Sequence, residues 1–473
     1  MSFKLASRAI KEDKVKCVIL AGGEGWRQGP ATDRTINRSA VAKPLLPVAG
    51  RKIIDFSIAS AQHLGLHRVE IAAGRHWGLF NKMLLSPERC VSQSRKGNFD
   101  IKIKGEKQQM GTLGGALETF KVLDKDDTVI ILSGDIVSNF DLKPVLEKHL
   151  ETGAAATVVS LPIPWESEEW KERTFPVILT KGTPQMAGER WEFEDRLKAY
   201  HDGLRGNARK ITEFAEMSER NKCPSNLSIT SIYLFSAKFL NDLKRVVTPK
   251  GSEGDFSDFG FHVFPLLAGQ FDKFPGEDMK DIIRKIERGQ YPFYAYTPPE
   301  TGIGGQPLYW HDVFDPMALW KINMEAMRGL ANSWITKEDR FNQTPWGFVG
   351  DSSYISPDAR IGDISERYHH QKGISIIGSN VSISRGVKIG RSFIDDYTNL
   401  QPYTEVFNSV VSLGLSRPTS YIGKTRLVNC LVLGEGFPPD FADIRMLRNA
   451  LVFNVPYFDG VGIVPLQAKH DDP

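Results

Sequence analysis

Cysteine is scarce in this chain. The four among 473 residues (Cys17, Cys90, Cys223 and Cys430) lie far apart with no C-x-x-C pair, which argues against a zinc site or a disulfide framework. Cys17 sits in the apolar run Val15 to Leu20 and reads as a buried thiol. Net charge is scarce too. The formal value of +3 gives no support to a broad nucleic-acid footprint, which needs a concentrated basic face. Long apolar runs are missing as well. None approaches the roughly 18 residues of a membrane span, and the opening residues mix Lys, Arg, Glu and Asp with no apolar signal-like core. The hydrophobic share of 41% and charged share of 25% match soluble globular proteins. A cytoplasmic protein without membrane or nucleic-acid partners is the expectation, and the length predicts two or three domains.

What is present falls into two patterns. From about Val15 to Pro162, β-branched runs alternate with helix-like stretches. VKCVIL, RVEIAAG, DTVIIL and AAATVVSLPI read as strands, while IDFSIASAQHLG and LKPVLEKHLETG read as helices ending at glycine. This alternation predicts an α/β fold around a buried parallel sheet. Pro162 to Lys222 reads as a less regular, charged and Trp-rich region, followed by the strands SIYLFS and FYAYT. From about Phe348 the period changes. Val349, Ile355 and Ile361 recur every six residues, as do Ile377, Ile383 and Ile389, with Val381, Val387 and Phe393 as a second ladder. Such a repeat predicts a parallel β-helix, each flat face contributing one inward aliphatic side chain. The insert ISERYHHQKG, between Ile361 and Ile376, would leave one corner as a loop.

The first strand ends in LAGGEGWR, Leu20 to Arg27. A glycine-rich turn there brings backbone N–H groups close to phosphates. By itself such a turn is weak evidence, and it is neither G-x-x-x-x-G-K-[ST] nor G-x-G-x-x-G, so a P-loop NTPase and a dehydrogenase are disfavoured. The continuation AKPLLPVAGRKIIDFSIAS adds Lys43. With Arg27 it supplies two fixed cations flanking the loop, suited to a triphosphate that loses its outer two phosphates. Asp135, in ILSGD, ends an apolar strand, where open α/β sheets place ligands. An isolated Ser-Gly-Asp would read equally as a turn or helix cap.

Taken in order, AGGEGWR, AKPLLPVAG, QQMGTLGGAL, ILSGD, ITEFAEM, SIYLF and YWHDVFDP resemble the A-G-G-x-G-T-R … K-P signature set of the sugar-1-phosphate nucleotidyltransferases. The resemblance runs from Val15 to Leu433. It implies a Rossmann-like nucleotidyltransferase domain over 15–330, a C-terminal left-handed parallel β-helix of hexapeptide repeats over 348–435, and a capping or interaction segment over 436–473. It also implies Mg²⁺ held by Asp135 and Asp312, with phosphate oxygens completing the octahedron, and in-line attack of a sugar phosphate with release of pyrophosphate. Arg27, Lys43 and Asp135 would be catalytic. Leu20, Ala21, Gly22, Gly23, Gln108, Gly111 and Thr112 would bind nucleotide, and Glu216 the sugar. No protein nucleophile is needed, because positioning and charge neutralisation carry the rate. Glu106, Gln108 or Gln109 could read the base edge. A Gln amide suits adenine- or thymine-like edges and a carboxylate suits guanine, so the base stays open. Thr32 to Arg34, followed by AKP, looks more like the ADP-glucose branch than the GDP-mannose branch.

The departures cluster on one side. Trp26 stands where the family has Thr, and extra residues separate Arg27 from Lys43. On the sugar side Met217 replaces a phosphate-binding Lys, Pro176 falls where a Gly N–H would touch the sugar, Ser231 replaces a Gly, and Phe314 and Asp315 replace Gly-Thr. Either the acceptor is an unusual sugar or cyclitol phosphate, or the chain is a weakly active regulatory subunit. Persistence of Arg27, Lys43, Asp135 and Asp312 favours an active enzyme. A β-helix acyltransferase using His369 or His370 as general base is the reading from another class, although paired His in a polar loop is ordinarily solvated surface. Trp165, Trp170 and Trp191 read as packing residues. The apolar closing segment suits homo-oligomerisation or capping of the β-helix end.

Overall fold

The computed structural model describes residues 3–23, 25, 32, 41–84, 99–106, 110–120, 123–164, 175–184, 190–218, 225–252, 255–274, 276–327, 341–345, 347–350, 352–361, 374–412, 420–422, 425–433, 447–454 and 461–465. Two compact units make up the chain. The first comprises Met1–Gly22, Phe56–Lys82 and Ser94–Trp310, and the second Gly23–Asp55, Met83–Gln93 and His311–Pro473.

The first unit is built on a nine-stranded sheet. Its strands are β1 (Val15–Leu20), β2 (Arg68–Ala72), β3 (Asp100–Lys104), β4 (Thr128–Ser133), β5 (Ala156–Pro162), β6 (Phe175–Thr180), β7 (Asn207–Ser218), β8 (Leu227–Ser236) and β9 (Phe293–Thr297). Their spatial order is β3-β2-β1-β4-β8-β5-β9-β7-β6. The four strands β3, β2, β1 and β4 are parallel, as the strand–helix alternation predicts. The other half corrects the expectation of a parallel sheet. β8 runs antiparallel to both β4 and β5, and β7 antiparallel to β9 and β6. β8 is buried along most of its length, and an apolar run buried on both faces does not reveal its direction. Within the region read as irregular, the described residues supply β6, β7 and a helix over Arg190–Asp202. Charged residues along the half-exposed β7 obscure its alternation.

The helices follow their sequence signals. α1 (Lys4–Lys11) is tied down by the buried Glu147, whose carboxylate accepts from the Leu5 and Ala6 amides. α2 (Ile53–Leu64) and α3 (Trp77–Leu84) each follow a strand of the chain's first third, and α4 (Gly111–Thr119) follows β3. α5 (Leu142–Thr152) carries the Glu147 anchor. It begins at Asp141, which accepts from the Lys143 amide, and ends at Gly153 with φ 57°, the usual capping pair. Cys17 is buried in β1, and desolvation pushes its thiol up to about 12. No helix among the described residues is long and apolar enough to cross a membrane.

In the second unit the chain visits three sheets in rotation. Strands at Gly347–Gly350, Ser375–Ile377, Phe393–Ile394, Val410–Ser412, Leu431–Leu433 and Ala450–Asn454 stack in parallel in one. The other two collect Tyr354–Ile355 and its successors, and Arg360–Ile361 and its successors, again in parallel. Ile377, Ile383 and Ile389 are fully buried in one apolar cluster, with Val349, Ile355 and Ile361 packed at its end. Val381 and Val387 join the same cluster, but Phe393 does not. A full round takes 17 residues rather than 18 here, since Ile377 pairs with Ile394. The lost residue moves the inward position to Ile394 and turns Phe393 to the opposite face, where it is buried all the same.

Two polar ladders reinforce the stack. The amides of Ser392, Ser409 and Cys430 donate to the hydroxyls of Ser375, Ser392 and Ser409 respectively. Asn408, Asn429 and Asn449 link side chain to side chain, all at positive φ, and Arg391 donates to Asn408. Antiparallel strands Phe341–Thr344 and Val461–Pro465 end the first sheet on both sides. His369 and His370, with the rest of the insert up to residue 373, lie outside the described residues.

Candidate active site

In the first unit the candidate residues gather at the carboxyl ends of β1 and β4. Leu20 closes β1, and its carbonyl accepts from the Gly134 amide at 2.8 Å. That bond joins the glycine turn to the Ser133–Gly134–Asp135 turn. The Ala21 amide donates to the Ala72 carbonyl of β2 at 2.9 Å. Gly22 then passes Gly74 so closely that a Cβ on Gly22 would stand 3.1 Å from the Gly74 nitrogen, and one on Gly74 only 3.0 Å from the Gly22 Cα. Any larger residue at either position would have to push these two backbones apart. Ser133 donates its hydroxyl to Asp135 Oδ1, and the Ser57 hydroxyl holds the Ser133 carbonyl at 2.7 Å. The half-buried Asp135 carboxylate is thereby oriented by its own strand end.

Gly111 and Thr112 open α4, and a segment that sequence reasoning missed clamps them. Gly111 has φ 67°, and a Cβ there would collide with the Ser257 carbonyl. That carbonyl accepts from the Leu113 amide at 2.8 Å. The Thr112 hydroxyl donates to Asp258 Oδ2 at 2.8 Å and accepts from the Phe259 amide at 3.0 Å. Asp258 Oδ1 meanwhile accepts from Gly260 and Phe261. Only its place in a Ser-Asp-Phe-Gly turn could have marked Asp258 beforehand. Glu106 is one of the three residues expected to read the base edge. Its carboxylate turns toward α4, where a Cβ on Gly115 would lie 2.7 Å from Oε1. It accepts from the Met110 amide, and burial holds its carboxyl above the usual range. Gly115 leaves room for that turn, while Gly114 leaves room for the Met110 side chain. Gln108 and Gln109 lie outside the described residues.

The second unit brings Lys43 and Asp312 together. Lys43 Nζ lies 3.4 Å from Asp312 Oδ1, with side chains only 13% and 23% exposed. Gly23 is exposed in this unit, and the Thr32 hydroxyl donates to the Gly25 carbonyl at 2.7 Å. The segments bearing Lys43 and Asp312 are far apart in sequence, and Asn323 bridges them. Fully buried on the helix Pro316–Met327, it accepts from the Ala49 amide at 2.8 Å and donates to the Pro47 carbonyl at 3.1 Å. Asp315 begins this helix and accepts from the Ala318 amide at 2.7 Å, so an N-cap residue still stands where the family has Thr. Arg27, Trp26 and Arg34 lie outside the described residues.

Of the residues expected on the sugar side, Glu216 lies in β7, though its side chain and that of Met217 are outside the description. Pro176 lies in β6, which pairs with β7 on one side and, through Val177 opposite Ser228, with β8 on the other, and its carbonyl accepts from the Ser228 hydroxyl. Trp310 donates its indole N–H to the Thr230 carbonyl at 3.1 Å. Trp165 and Trp170 lie outside the described residues, as does the side chain of Trp191.

Residues 16–329 match the family model described as nucleotidyl transferase. The chain belongs to the nucleotidyl transferase family. Similar proteins include the glucose-1-phosphate adenylyltransferase of Thermotoga neapolitana, 26% identical over 80% of this chain and 76% of that protein. Another is the glucose-1-phosphate adenylyltransferase of Rhizobium meliloti, 24% identical over 83% of this chain and 82% of that one. The same name belongs to a relative in Desulforamulus reducens, 26% identical over 80% of this chain and 82% of its own length. The transferase is a sugar-1-phosphate nucleotidyltransferase in kind.

The donor set can be tested against the divalent ion that such transfer uses. Asp135 and Asp312 offer hard carboxylate oxygens, the chemistry magnesium prefers. No group of three or more His, Cys, Asp or Glu side chains poised for a metal occurs among the described residues. Each carboxylate by itself suits magnesium, which keeps waters and borrows phosphate oxygens around few protein ligands.

Proposed function

We propose that this transferase joins an adenylyl group to a glucose-1-phosphate-like acceptor, with Mg²⁺ at Asp135 and Asp312. One observation carries the reading. The glycine turn at Gly22 and the Asp135 turn are hydrogen-bonded to each other at the carboxyl edge of parallel strands, where α/β sheets bind nucleotides. The adenylyl and glucose choices rest on the names of the relatives and on the Thr32–Arg34 stretch, with guanylyl transfer to a mannose phosphate as the runner-up.

The residues divide the work. Backbone N–H groups from Leu20 to Gly23 and the opening of α4 at Gly111 and Thr112 hold the triphosphate. Arg27 and Lys43 stabilise charge that builds on the departing diphosphate. A phosphate oxygen of the sugar phosphate attacks the α-phosphorus, the bond to the bridging oxygen breaks, and pyrophosphate leaves. The divalent ion supplies charge neutralisation and a template for the in-line geometry. Asp135 and Asp312 orient it, and Glu216 positions the sugar.

The domain reading goes with this. Residues 15–330 form the catalytic domain, and the stacked strands over 348–435 form a left-handed parallel β-helix of hexapeptide type. Segment 436–473 caps it, and copies of the chain associate through that helix. Purified protein with Mg²⁺, each nucleoside triphosphate and a panel of sugar 1-phosphates tests the activity by pyrophosphate release. Release with ATP and glucose 1-phosphate is expected. Nucleotide binding without release from any pair supports the regulatory-subunit reading, whereas release only with another acceptor makes the rewritten sugar side (Pro176, Met217, Ser231) the mark of an unusual sugar or cyclitol phosphate.

A further inference from the structure

Ser231 stands out in β8. It is a non-glycine residue at φ 59° inside a strand, where the pairing with β5 shifts register between Ile229 and Tyr233. L-residues adopt that conformation only at a cost that glycine avoids. Strain of this kind persists where the surroundings or the function over-determine it. The half-buried Ser231 hydroxyl has no hydrogen-bond partner among the described residues, and the register shift makes the turn of its backbone a β-bulge, a device that re-aims a side chain.

Its position points to the missing partner. β8 pairs antiparallel with β4 up to Ile232 opposite Leu132, so Ser231 stands just past the last pair, at the end of β4 that Ser133 closes. Ser133 in turn donates to Asp135. Within the sheet order, β1 with its glycine turn lies on one side of β4, and β8 lies on the other. A transfer centred on Asp135 thus has its triphosphate side at β1, which leaves the β8 side for the acceptor. The neighbouring residues agree with this. The Thr230 carbonyl is taken by the Trp310 indole, which packs with Ala215 against Ile163, Val177 and Leu197. Ala215 immediately precedes Glu216.

Resting on the transferase reading above, we infer that Ser231 is a specificity residue of the acceptor subsite. Its hydroxyl hydrogen-bonds a ring hydroxyl of a polyhydroxylated phosphate, and the strained backbone is retained to aim it.

Steady-state kinetics of the full chain with Mg²⁺–ATP and a panel of hexose 1-phosphates tests this in Ser231→Gly and Ser231→Ala. Ser231→Gly raises the KM of the best acceptor about ten-fold, the loss of one substrate hydrogen bond, leaves the KM for ATP unchanged, and raises the unfolding temperature. Ser231→Ala reproduces the KM change without the thermal gain, because alanine is strained at this φ as serine is. An acceptor KM unmoved in both variants overturns the inference while leaving the transferase standing. A lower unfolding temperature in Ser231→Gly overturns the strain argument. No pyrophosphate release by the wild-type chain with any acceptor overturns the transferase reading itself, and the inference with it.

Discussion

The nine-stranded sheet and the stacked strands of the second unit bury apolar side chains equally well but by different means. In the stack, each inward position is repeated by the rung above and below, as Ile377, Ile394 and Val411 are. Even its polar groups form ladders. In the sheet, the groups that matter for chemistry occur once. Asp135 is oriented by Ser133, and Thr112 is clamped by Asp258. Repetition spreads stability over interchangeable rungs, whereas a site concentrates function in residues with no substitute.

The largest effect that could break this contrast lies in the sheet. Asp135→Asn should lower turnover on the order of 10²-fold or more, by removing charge from the group proposed to hold the metal, with circular dichroism unchanged. Near-normal turnover would take Asp135 out of the mechanism. The counterpart in the stack is Ile389→Ala. It should cost about 3 kcal/mol of stability in denaturant titration yet leave turnover per folded molecule as it was. A selective loss of turnover there would show that the rungs are not mere repetition.

Acid separates the two regions next. Burial lowers His149 and His201, both in the first unit, from 6.5 to about 4. In the unfolded chain each takes up a proton below about 6.5, while in the folded one it resists until about 4. Stability therefore falls as pH drops through that window, by about 2 kcal/mol for each at pH 5. In the stack the sign is opposite. Desolvation, with repulsion from Asp396, raises the carboxyl of the buried Asp395 above its ordinary value, against the pull of Lys52. Its protonated form suits the folded state, so its contribution weakens as pH rises above the ordinary 3.8. Half-buried Glu106 shares that sign within the first unit and offsets part of the histidine effect. Thermal unfolding followed at pH 7 and pH 5 should show the loss, and His149→Gln should reduce it. A pH-independent transition would show that these imidazoles are hydrated. The smallest effect is Ser409→Ala, which leaves the Cys430 amide without its acceptor and should cost about 1 kcal/mol by the same denaturant titration.

Much of this molecule was legible in its residues, for reasons of range. Strand–helix alternation, the caps at Asp141 and Gly153, the Gly22 turn and the six-residue ladders all express periods or contacts spanning a few positions. Side-chain order alone reveals those. The reading failed where the deciding partner was distant. The antiparallel direction of β8 depends on β4 and β5 at once. The turn of Phe393 away from the inner cluster depends on a round of 17 residues, one fewer than the local period suggests.

The sequence by itself determined where chain reversals fall, which faces are apolar, and which residue types could meet a nucleotide and a divalent ion. Only the tertiary structure decided that Asn323 joins Pro47 and Ala49 to the helix after Asp312, that Asp258 holds Thr112, and that Ser231 sits at positive φ. Those bonds close loops of 274 and 146 residues. Pairings over such separations follow from the whole core packing together, and no local pattern of side chains records them.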